Sequence, residues 1–340
     1  MILEIVILTR DRPTHLSKAI KYIEKINFDA PIRLVISNNS SSEIVNSFGA
    51  HWEIRNRLEN LTFHEHFVKV LKESSSSWLL ITHDDDEVLP YFGELFNRFY
   101  TSDGIRFISG ISQIINKEIS PSAEIGYKTR LRKMRDKGDL VHNCEEFLLK
   151  QFKFGSLLPF SGIAFRTSIL KEIKLDNFNL YDSLSDYYFT LSICEPIKNL
   201  PGEFVFNSQK PVINYSIHKD QSSLKNNLTY ELPIRTLMCC IDFYSRFPKI
   251  IGRINFYKKL LVTTHMIRLS RKNDPSLYVE LSNHWSKFNL GTIDFIISYF
   301  IIFKIAPSIP GLSLYSKIYS KIYWKLQKNR VNRNSSTLRP

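Results

Sequence analysis

Several familiar signatures are missing from this chain. It contains neither GxGxxG nor GxxxxGK[ST], so it carries neither the dinucleotide-binding fingerprint nor a P-loop. Only four of its 340 residues are cysteine, they lack the spacing of a metal site, and two of them are adjacent. This pattern favours reduced thiols over disulfides. The first residues have too short an apolar stretch, and no basic region before it, for a signal peptide, so we expect a cytoplasmic protein.

Long apolar runs and, toward the C-terminus, acidic residues are also missing. The strongly apolar segment 295–303 has nine residues, whereas a membrane-spanning helix needs about 20. From Phe295 to Pro340 there is no Asp or Glu, but there are eight Lys and Arg. Tyrosine and aliphatic residues alternate there with lysines, which indicates a basic amphipathic tail at 313–340 on an anionic membrane surface. A helix packed on the protein with its lysines in water would give the same pattern.

The composition that is present allows a substantial core. The chain is 43% hydrophobic and 13% aromatic, which excludes disorder of the whole chain. Its formal net charge is +13, and a second basic group lies at 128–137. This charge predicts polyanionic partners, either phosphate-bearing ligands or an anionic membrane. The group at 128–137 either covers a nucleotide diphosphate or is a solvated loop.

The first hundred residues alternate apolar strands with helical patterns. The predicted strands are Leu3–Leu8, Ile32–Ser37, Trp52–Arg55 and Trp78–Thr82. This βαβ order predicts a parallel sheet with right-handed crossovers. In open α/β sheets ligands bind beyond the carboxyl ends of the strands. We therefore expect a crevice formed by the polar residues that end these strands: Thr9 and Asp11, Asn38 and Asn39, Arg55 and Asn56, and Asp84, Asp85 and Asp86.

Beyond residue 100 the pattern is less regular. It predicts further strands at Ile105–Ser109 and Ile111–Ile115 and a β-hairpin at Phe204–Tyr215. After Tyr230 the apolar spacing becomes helical, which predicts packed helices in the last third of the chain.

The densest polar strand end is the acidic run Asp84–Glu87, which is followed by a helix that begins at Pro90. Crowded carboxylates are costly unless a cation shares them, and their hard oxygens suit Mg²⁺ or Mn²⁺ together with substrate phosphates. The alternative is a solvated acidic turn that stabilises the N-terminus of the following helix. These residues alone leave both interpretations open.

Three of the strand ends resemble motifs of the family-2 glycosyltransferases, the inverting GT-A type. Thr9–Pro13 resembles the family's Thr-x-Asn-Arg-Pro turn, and Val35–Ser41 resembles its Asp-rich turn. His83–Asp86, followed by a proline, resembles its DxD motif. The chain departs from the family twice, because Asn38 replaces an Asp and His83 stands where many members carry the first Asp of DxD.

This resemblance implies a GT-A fold: an α/β, Rossmann-like, mostly parallel sheet with flanking helices, plus a C-terminal helical extension. It implies nucleotide-sugar binding at 1–110, acceptor binding at 111–225, a helical extension at 226–312 and then the tail. The residues that it implies for nucleotide-sugar binding are Thr9, Arg10, Asp11, Arg12, Asn38 and Asp84, and Arg55 is added from its position at a strand end. It implies Asp85 as a ligand of Mn²⁺ or Mg²⁺, and the division of roles among Asp84, Asp85 and Asp86 stays open.

Two more roles follow from the resemblance. Ser185–Phe189 matches the family's pattern around the catalytic base, which makes Asp186 the implied base and Asp182 the fallback. By itself, an Asp near a helix start indicates an N-terminal cap. His218 opens a segment similar to the family's His-x-x-Gln-x-Ser element and is implied to ligate the metal. A lone histidine is otherwise more often an ordinary surface or hydrogen-bonded residue.

These observations predict a metal-dependent inverting glycosyltransferase. It would move a sugar from a nucleotide sugar, with UDP as the expected nucleotide, to a hydroxyl of a glycan or lipid-linked oligosaccharide in surface polysaccharide synthesis. The tail would hold it peripherally on the inner face of the cell membrane. One alternative is a nucleic-acid-binding protein or nuclease, which the charge favours but for which no binding module is recognisable. The other is an inactive GT-A-like scaffold.

Overall fold

Four apolar segments near the N-terminus form the parallel half of a mixed sheet. The computed structural model describes residues 2–44, 48–57, 59, 61–115, 141–154, 158, 160–173, 184–197, 202–216, 231–257, 259–260 and 290. The parallel strands are β1 (Leu3–Thr9), β2 (Ile32–Asn38), β3 (Trp52–Asn56) and β4 (Trp78–His83). The four predicted strands are confirmed. Each runs one residue further, because strand pairing continues into the first polar residue.

Two helices connect these strands, a third follows them, and local sequence signals set where all three begin. Both α1 (Pro13–Ile23) and α3 (Pro90–Phe99) begin at proline, whose fixed φ and missing N–H suit the first helical turn. The helix α2 (Phe63–Glu73) begins with a capping box. There, Thr62 Oγ1 accepts a hydrogen bond from the Glu65 N–H, and Glu65 Oε2 accepts one from the Thr62 N–H. Each helix buries one apolar face against the sheet.

The second half of the sheet contains antiparallel pairs. Its strands are β5 (Glu87–Val88), β6 (Ile105–Ile115), β7 (Val141–Asn143), β8 (Ile163–Arg166) and β9 (Glu203–Ser216). The strand order is β3-β2-β1-β4-β8-β6-β9-β5, and β7 also pairs with β9. Strand β8 is antiparallel to β4 and β6, whereas β9 is parallel to β6 and antiparallel to β5. The predicted α/β sheet with flanking helices is confirmed.

Two predictions in this half are wrong. Residues 204–215 form no hairpin but belong to the single strand β9, and the two strands predicted on either side of Gly110 are the continuous strand β6. Gly110 pairs with Asn207 and Ile111 with Pro211, so the residues between these partners bulge out of β9. A Cβ on Gly110 would lie 3.1 Å from the Asn207 carbonyl oxygen and closer still to Val212, which explains the glycine.

The two faces of β1 are covered by different kinds of side chain. On one face, Leu3, Ile5 and Ile7 belong to the main hydrophobic core, to which α1 and α3 also contribute. On the other face, the carboxylate of Glu4 is fully buried. It accepts hydrogen bonds from Arg55 Nη2 at 3.0 Å and from Ser74 Oγ at 2.9 Å. These partners offset the cost of burying its charge.

Further helical segments belong to the same compact unit as the sheet. They are α4 (Cys144–Phe154), the 3-10 turns Phe160–Gly162 and Thr167–Lys171, and α5 (Ser185–Ser192). The described residues of this unit end at Ser216.

A second unit has its first described residue at Glu231. It contains α6 (Glu231–Arg246) and α7 (Pro248–Ile251), and the rings of Tyr244 and Phe256 stack with their centroids 3.9 Å apart. The predicted boundaries near residues 225 and 312 fall outside the described residues and stay predictions. Among the described helices, none combines the length and the apolar character needed to cross a bilayer.

Candidate active site

The acidic turn, defined here as His83–Asp86, begins at the last residue of β4. The backbone N–H of Asp84 donates to the Leu8 carbonyl at 3.1 Å, which continues the bonding between β1 and β4. The N–H of Asp86 donates to the His83 carbonyl at 3.3 Å, which closes the turn. Its carboxylates therefore lie at the sheet edge where the parallel strands β1, β2 and β4 also end, as the sequence predicts.

Asp84 and Asp85 share one cation, the guanidinium of Arg12. Arg12 Nη2 lies 2.6 Å from Asp84 Oδ1, and Arg12 Nη1 lies 2.6 Å from Asp85 Oδ2. Thr9 Oγ1 donates to the second Asp84 oxygen, Oδ2, at 2.6 Å. The two acidic side chains are 0% and 8% exposed, whereas that of Arg12 is 35% exposed. The structure thus brings together four residues that the sequence assigns to the donor and metal site.

Burial raises the pKa of Asp84 to about 6, although the charge of Arg12 and the hydrogen bond from Thr9 both favour the carboxylate. The pKa of Arg12 is raised above its usual value. Its own desolvation opposes this, but the attraction of Asp85 and Asp84 prevails. The guanidinium therefore stays charged and is the cation that these buried acids need.

Asp86 is held by two distant parts of the chain. Its Oδ2 accepts a hydrogen bond from the Ser161 hydroxyl, and its Oδ1 accepts one from the Ser216 backbone N–H at 3.2 Å. Ser161 Oγ also accepts from the His83 N–H at 3.2 Å, so the same hydroxyl touches both ends of the acidic turn. Burial, and then the charge of Asp85, raises the pKa of Asp86 well above its usual range.

His83 has one ring nitrogen near the acids and one that is buried: its Nδ1 lies 3.8 Å from Asp86 Oδ2. Its Nε2 is buried and has no hydrogen-bond partner among the described residues. The ring stacks on Phe160 with centroids 5.1 Å apart and meets the edge of Phe63 at 5.6 Å. Burial lowers the pKa of His83, so the imidazole is neutral at neutral pH. A neutral imidazole with an unused nitrogen is the form that binds metal ions.

His83, Asp85 and Asp86 form a possible metal group, in which the ligand atoms all lie within 4.8 Å of one another. The donor set fits a divalent cation, since it combines two carboxylates with a neutral imidazole whose Nδ1 lies 3.8 Å from Asp86 Oδ2. A cation here would also relieve the crowding of buried acids. Asp85 was predicted as a ligand from the sequence, whereas His83 was not. The other predicted ligand, His218, lies outside the described residues.

The ends of β1 and β2 are joined by a second polar cluster. The Asp11 N–H donates to Ser40 Oγ at 2.7 Å, and Asp11 Oδ1 accepts from the N–H and the hydroxyl of Ser41 at 3.1 Å each. Asp11 has a φ of 53°, a left-handed conformation that Asp tolerates better than most residues. Arg10, beside it, is exposed at the same edge.

Asn38 organises the loop that follows β2. Both hydrogens of its amide are used, one by the Ser42 carbonyl at 2.9 Å and one by Asn56 Oδ1 at 2.8 Å. Its Oδ1 accepts from the Ser40 N–H at 3.0 Å. A base could therefore be recognised by Asn38 only through the remaining lone pair of Oδ1. Its assignment to nucleotide-sugar binding stays a prediction.

Solved structures share this arrangement of elements. The crystal structure of S. aureus TarS 1-349 in complex with UDP-GlcNAc superimposes with a TM-score of 0.53 and 12% sequence identity, covering 98% of this chain and 92% of that chain. The complex of the same protein with UDP gives a TM-score of 0.50, with the same identity and coverage. The chain has a GT-A-like Rossmann fold. No protein-family model and no curated protein matches the sequence, so membership of family 2 stays a prediction.

In this GT-A-like fold, Arg55 faces the helix α2 side of the sheet. Its guanidinium contacts three carboxylates: Glu53 at 2.7 Å, Glu4 at 3.0 Å and Glu73 at 3.5 Å. Arg57, two residues further on, binds both oxygens of Glu73 at 2.8 and 2.6 Å. These contacts give Arg55 a structural role in fixing α2 to the sheet. Its assignment to nucleotide-sugar binding has no support from its neighbours and stays a prediction.

Asp186 lies in the first turn of α5 of the GT-A-like fold. Its Oδ1 accepts a hydrogen bond from the N–H of the next residue, Tyr187, at 2.7 Å, whereas the N-cap residue of the helix is Leu184 and no side chain caps it. Burial raises its pKa. One turn further on, Phe189 meets Phe160 at 6.3 Å, the ring that stacks on His83. The helix that carries Asp186 thus packs beside the acidic turn. The fallback base, Asp182, lies outside the described residues.

Proposed function

We propose that the protein is a metal-dependent inverting glycosyltransferase that uses a nucleotide-sugar donor. The observation that carries the proposal is the acidic turn at the carboxyl edge of a GT-A-like sheet. Arg12 forms ion pairs there with Asp84 and Asp85, and His83, Asp85 and Asp86 form the candidate metal group. The similar protein TarS was crystallised with UDP and with UDP-GlcNAc. We therefore propose a UDP-sugar as the donor.

The donor would lie across the ends of β1, β2 and β4. In this proposal Thr9, Arg10, Asp11 and Asn38 position the nucleoside, and Asp84 holds the ribose or the diphosphate. His83, Asp85 and Asp86 would hold Mn²⁺ or Mg²⁺, and an imidazole ligand favours Mn²⁺ because Mg²⁺ prefers oxygen ligands alone. When bound, the metal neutralises charge on the leaving diphosphate. His218 remains a proposed additional ligand.

Asp186 is the proposed general base. Its raised pKa suits a group that must accept a proton from an acceptor hydroxyl, because a more basic carboxylate takes the proton more readily. As it loses its proton to Asp186, the acceptor hydroxyl would attack the anomeric carbon from the face opposite the diphosphate. Displacement from that side inverts the configuration of the sugar.

The acceptor proposal rests on the sequence. We propose a glycan or a lipid-linked oligosaccharide, since the basic tail at 313–340 would hold the enzyme on an anionic membrane where such acceptors lie. The tail lies outside the described residues. Peripheral attachment to the inner face of the cell membrane is likewise proposed from its charge and its aromatic residues alone.

The proposal is tested by screening UDP-sugars and other nucleotide sugars for release of the nucleotide diphosphate with Mn²⁺, with Mg²⁺ and with EDTA. We expect release that needs the metal and that Asp85→Asn reduces by at least a hundredfold. Asp103→Asn, which changes an exposed acid in a turn, is the control and keeps full activity. No release from any donor, with either metal, would instead favour the inactive scaffold.

The role of Asp186 has a separate test. Asp186→Asn should abolish transfer to an acceptor while the affinity for UDP with Mn²⁺, measured by calorimetry, stays within about twofold, because the amide keeps the shape but cannot accept the proton. Undiminished turnover in this variant would remove Asp186 as the base.

A further inference from the structure

Arg12 binds two carboxylates at once, and one of them belongs to the candidate metal group. Its two terminal nitrogens are divided between Asp84 Oδ1 and Asp85 Oδ2, each at 2.6 Å. Asp85 is grouped with His83 and Asp86, whereas Asp84 is not. We propose that Arg12 is a resident counter-cation that competes with the divalent metal for Asp85 and passes to the donor's diphosphate when metal and donor bind together. This inference rests on the proposed function.

The geometry allows this exchange without rearrangement of the backbone. Arg12 immediately precedes α1, and Pro13 fixes the first turn of that helix. The guanidinium covers two acids that are almost fully buried, yet its own side chain is 35% exposed. The Arg12 side chain would turn away from Asp85. Asp84 would keep its hydrogen bond from Thr9 Oγ1 during the change.

Charge balance supplies the driving force. Without a metal, the adjacent buried carboxylates of Asp84 and Asp85 require a positive partner, and Arg12 provides it. A divalent ion on Asp85 would repel the guanidinium, because like charges repel strongly in a partly desolvated site. A diphosphate gives the displaced guanidinium a new partner, since its oxygens match the two-pronged geometry of arginine.

The exchange predicts a coupling between the two ligands. Metal alone must displace Arg12 from Asp85 with no compensation, so it binds weakly. Metal together with a nucleotide diphosphate displaces Arg12 onto phosphate, so each ligand strengthens the binding of the other. In the absence of donor, Arg12 therefore keeps the metal group largely empty.

The test measures Mn²⁺ binding to the full chain by electron paramagnetic resonance, with and without UDP. In Arg12→Gln we expect Mn²⁺ alone to bind at least tenfold more tightly than in the wild type. We also expect the gain in Mn²⁺ affinity on adding UDP to shrink by a similar factor. Arg33→Gln is the matched control, because Arg33 also pairs with a carboxylate, Glu53, at 2.5 Å and is 34% exposed. It should change neither quantity.

A second variant covers the case in which Arg12→Gln does not fold. Arg12→Lys keeps the charge, but its single ammonium cannot bridge two carboxylates, so its affinity for Mn²⁺ alone should lie between those of wild type and Arg12→Gln. A folded Arg12 variant that binds Mn²⁺ alone no more tightly than the wild type overturns the proposal.

The outcomes separate this inference from the proposed function. Wild-type protein that binds UDP with Mn²⁺, but whose Mn²⁺ affinity is insensitive to Arg12, refutes the competition and leaves the glycosyltransferase proposal intact. Wild-type protein that binds UDP equally well with Mn²⁺ and with EDTA refutes both the metal role and the competition. Wild-type protein that binds neither ligand refutes the proposed function as well.

Discussion

His66, on helix α2, is a neutral histidine that is hydrogen-bonded to Ser37 of strand β2. Arg57 Nε donates to Ser37 Oγ at 3.1 Å, and Ser37 Oγ shares a hydrogen bond of 2.7 Å with His66 Nε2. Burial, and then the charge of Arg57, lowers the pKa of His66 from the usual 6.5 to about 4. The folded protein therefore excludes a proton that the unfolded chain accepts.

This difference in proton binding makes the folded protein less stable at acid pH. Between about pH 6.5 and pH 4 the unfolded state binds more protons at His66, so stability is lost as the pH falls through this window. The shift corresponds to a loss of about 2 to 3 kcal/mol at pH 4.5 relative to pH 7. In His66→Gln this part of the loss should vanish, as measured by urea unfolding at the two pH values. His51→Gln, at an exposed histidine, should keep the full dependence. Equal pH dependence in all three proteins would contradict the assignment.

His83 is expected to set the choice of metal. Replacing a nitrogen ligand by a carboxylate oxygen should raise the affinity for Mg²⁺ relative to Mn²⁺, because Mg²⁺ prefers oxygen ligands. In His83→Asp we expect the ratio of the two affinities, measured calorimetrically in the presence of UDP, to shift toward Mg²⁺ by about tenfold. His51→Asp is the control for an added acid elsewhere. An unchanged ratio would exclude His83 from the coordination sphere.

At the scale of elements, α3 packs tightly against the segment that follows α1. Gly93, in the interior of this helix, faces the segment that follows α1. A Cβ there would fall on the side chain of Ile26 and 2.8 Å from the Asn27 carbonyl oxygen. Glycine inside a helix normally weakens it. Here it is required, because nothing larger lets the two segments approach.

Gly93→Ala should therefore destabilise the protein, although alanine is the better helix former. We expect a loss of about 1 to 3 kcal/mol in the free energy of unfolding, typical of overpacking, measured by chemical denaturation. Glu94→Ala, at the exposed position beside it, should change stability by less than about 0.5 kcal/mol. A stabilised Gly93→Ala variant would show that the segment after α1 can move aside at little cost.

Strands and helices with a clear local sequence signal were predictable from the sequence. Strands whose extent depends on pairing with a distant strand were not. The first four strands are continuous apolar runs, and α1, α2 and α3 have clear start signals at Pro13, Thr62 and Pro90. Strand β9 contains Asn207 and Pro211, which are typical of a turn. Both residues pair with the parallel strand β6, and the residues between them bulge out of β9, so the arrangement depends on residues about a hundred positions earlier.

The same division applies to the candidate site. Asp84 and Asp85 were predictable because adjacent carboxylates at a strand end need a cation close by. His83 was missed, since its value as a ligand depends on Phe63 and Phe160, which bury its ring. Arg55 was assigned to the donor by its position at a strand end. Its contacts with three glutamates depend on side-chain length and direction, which sequence order does not reveal.

For the whole molecule, the net charge of +13 and the acid-free stretch after Phe295 predict adsorption to anionic surfaces. Deleting Ser313–Pro340 should abolish most of the binding to vesicles that contain anionic lipid, measured by co-sedimentation, and should leave the fold unchanged. Binding of the full chain should weaken as salt is raised, because exposed charges are screened. Replacement of four tail lysines by Gln removes charge but keeps the chain length, so it tests whether charge causes the vesicle binding. The four are Lys317, Lys321, Lys325 and Lys328. Undiminished sedimentation of the truncated protein would contradict the tail prediction.

The hydrogen bonds of Asp86 have a consequence for how the protein is made. Its two carboxylate oxygens are bound by Ser161 and by the backbone of Ser216, 75 and 130 residues further along the chain. A growing polypeptide that has left the ribosome only as far as β4 and α3 already contains every acid of the turn, but nothing yet fixes Asp86. Metal and donor can thus encounter a finished binding surface only late in translation, after β9 has emerged and joined the sheet.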